Sequence, residues 1–237
     1  MMEEIKNRPQ IVVLTGAGIS AESGIKTFRD SGGLWEEHSI MDVATPEAWE
    51  RNPALVLEFY NQRRRQLTEV SPNPAHLALA QLEQYFSVNV ITQNVDDLHE
   101  RAGSSHVLHL HGELVKVRSE RYPDLIYPTQ HWEVKLGDTC ERGTQLRPHI
   151  VWFGEEVPMI SVAADLVKKA DILIVIGTSL NVYPAAGLLY HAPYGSRKFL
   201  IDPAENTSGQ IYRLTHIQEK AGSAVPQLVD ALIAEYA

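Results

Sequence analysis

Six short runs of strand-forming residues, at 11–15, 88–92, 106–110, 149–153, 172–176 and 198–201, recur along the chain, with helical patterns at 75–85, 160–169, 184–191 and 225–236. Near-continuous apolar strands need cover on both faces, and strands that alternate with helices pair in parallel. The sequence therefore predicts an α/β fold: a doubly wound, Rossmann-like parallel sheet. A helical segment at 34–70 and an irregular one at 115–146 break the alternation. They are expected to pack together as a smaller inserted domain, which leaves 1–33, 71–114 and 147–237 for the sheet. With 237 residues and 44% hydrophobic content, the chain has apolar surface for a large core.

Charge and composition remove several function classes. Thirty acidic against 21 basic residues give a formal net charge of −9, which argues against a nonspecific grip on nucleic acid. The polar start, MMEEIKNRPQ, has no apolar core region, and no run approaches the roughly 18 apolar residues of a membrane span, so a cytoplasmic protein is expected. The one cysteine, Cys140, excludes an intrachain disulfide framework.

Four polar clusters follow predicted strands. Gly16-Ala17-Gly18-Ile19-Ser20-Ala21 fits G-x-G-x-x-G/A between a strand and an expected helix. Glycines there let the backbone approach a pyrophosphate, and a helix N-terminus offers unpaired N–H groups. The chain then runs into Phe28-Arg29-Asp30 rather than a second βαβ unit, which weakens a dehydrogenase reading. Gln93-Asn94-Val95-Asp96 follows the second strand, where open α/β sheets bind ligands, although loop capping alone also accounts for Asn94 and Asp96. His109-Leu110-His111-Gly112 ends the third. Two histidines at i, i+2 are half of a metal site at most, with only scattered partners such as His106 and His131; a strand-end histidine beside a glycine also suits a general base. No metal is expected. Gly177-Thr178-Ser179 follows the strand at 172–176.

A helix is expected from about 53 to 68, with Asn52 as N-cap and Pro53 at the first helical position. Helical spacing puts Val56, Phe59, Tyr60, Arg63 and Leu67 on one stripe. Arg64 and Arg65 read as a solvated face, whereas Arg63 needs an anion, either a carboxylate of the protein or a ligand.

The ordered set GAGIS, FRD, QNVD, HLHG, VWFGE and GTS closely resembles the sirtuins, NAD-dependent protein-lysine deacylases, from about residue 11 to 228. The resemblance implies NAD contacts from Gly16, Ala17, Gly18, Ser20, Phe28 and Arg29, from Gln93, Val95 and Asp96, from Gly177, Thr178 and Ser179, and from Ala221. It makes His111 the general base, with Asn94 beside it, and lays an acyl-lysine protein substrate as an added strand along Val151, Phe153 and Gly154. The implied reaction begins with attack of the acyl oxygen on the nicotinamide ribose. His111 then deprotonates a ribose hydroxyl, and the products are free lysine, nicotinamide and O-acyl-ADP-ribose. One sirtuin class carries Tyr-x-x-Arg and a small alanine in its acyl pocket, matched by Tyr60, Arg63 and Ala44, which implies malonyl- or succinyl-lysine as substrate, with acetyl also fitting. Two departures stand out. Ser119 falls where the first of four zinc cysteines would be, so the module is expected to hold by apolar packing of Val115, Val117, Tyr122, Leu125, Ile126, Tyr127, Trp132 and Val134, and to be looser than its relatives. Asp202 replaces the family's usual asparagine that contacts the adenosine ribose; its carboxylate can still accept from a ribose hydroxyl, so the resemblance implies an NAD contact there too. A mono-ADP-ribosyltransferase or a non-catalytic NAD or ADP-ribose module remains the alternative.

Overall fold

The computed structural model describes residues 8–25, 38–178, 183–205 and 211–236. Its strands are β1 (Gln10–Thr15), β2 (Ser87–Thr92), β3 (Val107–His109), β4 (Gly112–Ser119), β5 (Ile126–Pro128), β6 (Leu146–Ile150), β7 (Ile172–Ile176), β8 (Arg197–Ile201) and β9 (Leu214–Ile217). The α-helices are α1 (Ile40–Val43), α2 (Pro46–Arg51), α3 (Pro53–Leu67), α4 (Pro74–Leu82), α5 (Leu98–Ala102), α6 (Ile160–Val167) and α7 (Ala221–Tyr236).

Six strands form a parallel sheet in the order β3-β2-β1-β7-β8-β9. The chain starts at the centre, moves outward one way, then returns to the other side of β1. This reversal opens a crevice at the carboxyl ends of β1 and β7. Alternate residues of each central strand serve opposite faces. Ile11, Val13 and Ile174 pack with Leu79 and Leu82 of α4 and Val225 of α7. Val12, Leu14, Leu173 and Val175 pack with Val167 of α6 and with Leu188. The sheet is thus covered on both sides, as its apolar strands require.

The second sheet corrects two expectations. The strand foreseen at 149–153 is β6, which ends at Ile150 and pairs antiparallel with β4, not within the parallel sheet. The segment at 115–146 is not wholly irregular, because β4 also pairs with β5 in a sheet ordered β5-β4-β6. A third apolar cluster joins this sheet to α2 and α3 through Trp49, Val56, Phe59, Leu114, Val117 and Trp152. Asn61 on α3 ties the two together, donating to the Val134 carbonyl at 3.0 Å and accepting from its N–H at 2.9 Å. Of the apolar residues expected to hold the module, Ile126 and Trp132 are largely exposed. Where the family's first zinc cysteine would fall, the Ser119 and Thr144 hydroxyls meet at 2.6 Å, and the Cys140 thiol lies 3.2 Å from Thr144. The Ser119 oxygen also accepts from the Arg121 and Tyr122 N–H groups, so hydroxyl bonds gather the chain there.

Helix α3 starts and packs as its sequence dictates. Asn52 accepts from the Leu55 N–H at 3.1 Å, and Val56, Phe59, Tyr60, Arg63 and Leu67 are all buried. Arg65 is exposed, with Glu69 at 3.8 Å. Arg64 is not on a solvated face: it is 3% exposed, because the chain at Trp132 folds over that flank and accepts from its Nε at 2.8 Å. The segment at 185–191 is a 3-10 helix, and no helix among the described residues is long and apolar enough to cross a membrane.

Candidate active site

The two glycine turns at the crevice lie back to back. The Gly16 N–H donates to the Ile176 carbonyl at 3.0 Å, and the Gly18 N–H to the Gly177 carbonyl at 2.8 Å. A Cβ on Gly18 would come within 2.5 Å of the Gly177 Cα, and Gly177 itself has φ +61°. The expected helix after Gly18 is replaced by two 3-10 turns, Ala17–Ile19 and Ala21–Ser23, which turn the Ile19 and Ser20 N–H groups onto Gly16 and Ala17. The glycines therefore serve the meeting of two loops as much as any ligand. Gly177→Ala is expected to cost about 2–5 kcal/mol, from left-handed strain plus overpacking, and a fall in urea-unfolding free energy below about 1 kcal/mol contradicts this.

Beyond β2, the polar cluster folds inward. The Ser20 hydroxyl donates to Asp96 at 3.0 Å and accepts from the Asn94 amide at 3.1 Å; that amide also reaches the Gly16 carbonyl at 3.2 Å. Burial raises the Asp96 carboxyl pKa, opposed by the Leu98 N–H and the Ser20 hydroxyl. Gln93 donates to the Thr178 hydroxyl at 3.3 Å, which links the β2 and β7 loops across the crevice.

The two histidines at the end of β3 and just beyond it hold successive carbonyls of that cluster. His111 Nδ1 lies 3.0 Å from the Gln93 carbonyl, and His109 Nδ1 lies 3.0 Å from the Asn94 carbonyl. A carbonyl only accepts, so Nδ1 of His111 carries the proton and the neutral ring keeps a lone pair at Nε2. Burial lowers the His111 pKa, opposed by the bond to Gln93, so this base stays unprotonated at neutral pH. His109 differs: its Nε2 meets Glu100 at 2.8 Å. With acceptors at both nitrogens, only the imidazolium donates to both. Burial opposes that charge, but the Glu100 bond and carboxylate outweigh it and raise the pKa. His109 and Glu100 thus brace the Asn94 backbone, a pairing that residue spacing alone gave no signal for. Among the described residues, no group of three His, Cys, Asp or Glu side chains is placed to hold a metal ion.

A buried relay underlies the site. Thr92 accepts from the Asn94 N–H at 3.0 Å and from the Thr15 hydroxyl at 2.8 Å, and Thr15 lies 3.1 Å from His99 Nε2. His76 meets the His99 ring edge-on at 4.9 Å and accepts from the Asn73 N–H in a capping box. Burial lowers both histidines, His76 from 6.5 to about 4. A lowered histidine leaves stability complete above 6.5 and loses it as pH falls toward the folded value; for His76 the loss is about 3 kcal/mol. The urea midpoint is expected to fall between about pH 6.5 and 4.5, above the range where most carboxylates titrate, and a flat midpoint contradicts the relay's neutral state.

The remaining expected site residues separate into two groups. Asp202, at the end of β8, is buried and accepts from the Ala204 N–H at 2.9 Å, and Ala221 opens α7, whose Gly222 N–H donates to Glu22 at 2.7 Å. Phe28, Arg29 and Ser179 lie outside the described residues. On the other side, the Val151 N–H donates to the His111 carbonyl at 2.9 Å and the Phe153 N–H to the Ala44 carbonyl at 3.0 Å. A peptide laid along this segment therefore pairs with groups other than those two N–H donors. Ala44, Tyr60 and Trp152 are buried together in one cluster, with Arg63 over the Phe59 ring at 3.8 Å. The Trp152 indole N–H donates to the Tyr60 hydroxyl oxygen at 3.1 Å. Behind it, the Arg147 guanidinium lies 3.3 Å from the Trp152 ring centre, and Glu155 holds Arg147, Arg118 and the Trp152 N–H.

The polar set of the crevice is two amides, two carboxylates and a hydroxyl, from Gln93, Asn94, Asp96, Asp202 and Thr178. Such groups fit a ligand rich in hydroxyls and carrying a carboxamide, as a nicotinamide dinucleotide does.

Comparison with known proteins agrees with this geometry. The Sir2 family model matches residues 16–184. An NAD-dependent protein deacylase of Helicobacter pylori strain J99 is 58% identical over 225 residues, covering 94% of this chain and 95% of that protein. One from Bacteroides thetaiotaomicron is 57% identical over 229 residues, covering 94% and 97%. The crystal structure of a Sir2 homolog–NAD complex superimposes with a TM-score of 0.87 at 37% identity, covering 100% of this chain and 94% of that one. The chain belongs to the Sir2 family.

Proposed function

We propose that this protein is an NAD-dependent protein-lysine deacylase of the cytoplasm that removes malonyl and succinyl groups from lysine, and acetyl groups as well. The names of its relatives support the reaction class. The observation that carries the acyl class is the burial of Arg63, 4% exposed, over the Phe59 ring of the apolar cluster that holds Tyr60, Ala44 and Trp152. In this reading the parallel-sheet domain binds NAD, and the inserted domain closes the acyl pocket.

NAD, when bound, supplies an electrophilic ribose carbon that is released from nicotinamide and takes up the acyl group. Gln93, Asn94, Asp96, Thr178 and Asp202 would hold it, together with the paired glycine turns. His111 accepts a hydroxyl proton at Nε2, while its Nδ1–H stays on Gln93 and fixes the ring. Asn94 is held by Ser20, Gly16 and Thr92. Arg63 and Tyr60 meet the acyl carboxylate, with the Tyr60 oxygen positioned by the Trp152 indole N–H.

Incubation with NAD and a succinyl-lysine peptide tests the reaction. Nicotinamide release, a peptide lighter by one succinyl group and O-succinyl-ADP-ribose are expected by mass spectrometry. ADP-ribose attached to the peptide instead would assign the transferase alternative, and no release from any acyl-peptide would leave a binding module.

A further inference from the structure

Arg64 is a buried cation with no anion. Its Nε donates to the Trp132 carbonyl at 2.8 Å and its Nη2 to the Asn61 amide oxygen at 2.5 Å, while Nη1 is buried without a partner. Among the described residues, no carboxylate forms an ion pair with it. Arg147, buried to a similar degree one element away, has Glu155 at 2.8 Å. Burial lowers the Arg64 pKa to about 10, against a smaller opposing effect of Tyr60. Neutral acceptors satisfy hydrogens but leave most of the cost of burying the charge.

Arg64 lines a pocket of about 330 Å³, at the lower end of the range for small-molecule sites. Arg101 lines it too, held by the Leu67 carbonyl at 3.0 Å and the Val70 carbonyl at 2.6 Å. Asp97 is the one carboxylate in the described lining, and it is spent on Arg101 at 3.5 Å. Two fixed guanidiniums against one carboxylate leave the pocket positive in a chain of net charge −9. His131 and Gln130 also line it, both of them exposed polar residues.

We propose that this pocket binds a small oxyanion, the carboxylate or phosphate of a free metabolite, between the Arg64 and Arg101 guanidiniums. It is separate from the crevice yet adjoins both halves of the site. Arg64 follows Arg63 on α3, and Asp97 follows Asp96 at the start of α5. An occupant there joins the end of the acyl-pocket helix to the NAD loop, so its binding is expected to restrain one against the other.

The test is a titration of arginine-labelled protein followed by nitrogen-15 NMR, with saturating ADP-ribose to keep probes off the crevice. Inorganic phosphate and citrate are added at constant ionic strength, with chloride as the control. Saturable shifts of the Arg64 and Arg101 Nε–H signals are expected, half-complete at about 0.1–1 mM, with no saturable shift for chloride. The tighter probe identifies the source as phosphate or carboxylate. Arg101→Gln is expected to weaken binding about tenfold or more, and Arg101→Lys by about threefold. Wild-type shifts that do not saturate, or that chloride reproduces, overturn the proposal, as does unchanged affinity in a folded Arg101→Gln. The wild-type titration decides the matter even if that variant does not fold.

Discussion

Replacing His111 by tyrosine is expected to lower kcat/KM for every acyl-peptide by about 10²–10⁴, or about 3–5 kcal/mol of transition-state stabilisation. The Nδ1–H bond to Gln93 fixes the ring, and burial keeps Nε2 unprotonated near neutrality. A tyrosine hydroxyl is a far weaker base at that pH. Because burial lowers the His111 pKa below 6.5, the acid limb of the kcat/KM profile is expected below that value, with activity lost as pH falls through it. Steady-state rates across pH 5–8 check both points. Unchanged rates in the variant, or an acid limb above pH 6.5, remove His111 from the proton transfer.

The second large effect is selective. Arg63→Met keeps the apolar stem and deletes the charge, so it is expected to raise KM for succinyl-lysine by about a hundredfold and to change acetyl-lysine only slightly. A charge-assisted fork with one added phenolic hydrogen bond is worth about 3 kcal/mol, which is that factor. The partner tyrosine is itself positioned: Trp152 donates to it, Arg147 covers Trp152, and Glu155 fixes Arg147. Equal effects of Arg63→Met on both acyl groups would return the arginine to a purely architectural role.

The sheet was legible because its strands are apolar on both faces. The run ILIVI was bounded correctly at both ends, and every residue of it is buried. Helix α3 was legible for a different reason, since Asn52, Pro53 and a 3.6-residue stripe agree with one another. What stayed hidden depends on contacts distant in sequence. The alternation in β4 is broken where its register against β6 shifts between Gly112 and Val117, so the strand reads as irregular. Arg64 is buried by the chain at Trp132, 68 residues away, which no periodicity within α3 reveals. The second edge strand, β9, is half polar because it borders the sheet and packs on one side only. At the site, the motifs located the loops, but the roles within them are set by long-range pairs. His109 braces Asn94 through Glu100, and His76 and His99 form a buried pair beneath Thr15.

The glycine loop shows the same division. The fingerprint located the turn, yet the close approach it permits is to Gly177 in the turn after β7, as the 2.8 Å bond from the Gly18 N–H to the Gly177 carbonyl shows. A motif fixes where backbone comes close; tertiary structure decides to what.

The most direct test is kcat/KM, with NAD, for one peptide carrying acetyl, malonyl or succinyl on the same lysine. A preference of about a hundredfold for an acidic acyl group over acetyl is the predicted result. Acetyl removed as well as or better than both acidic groups contradicts it.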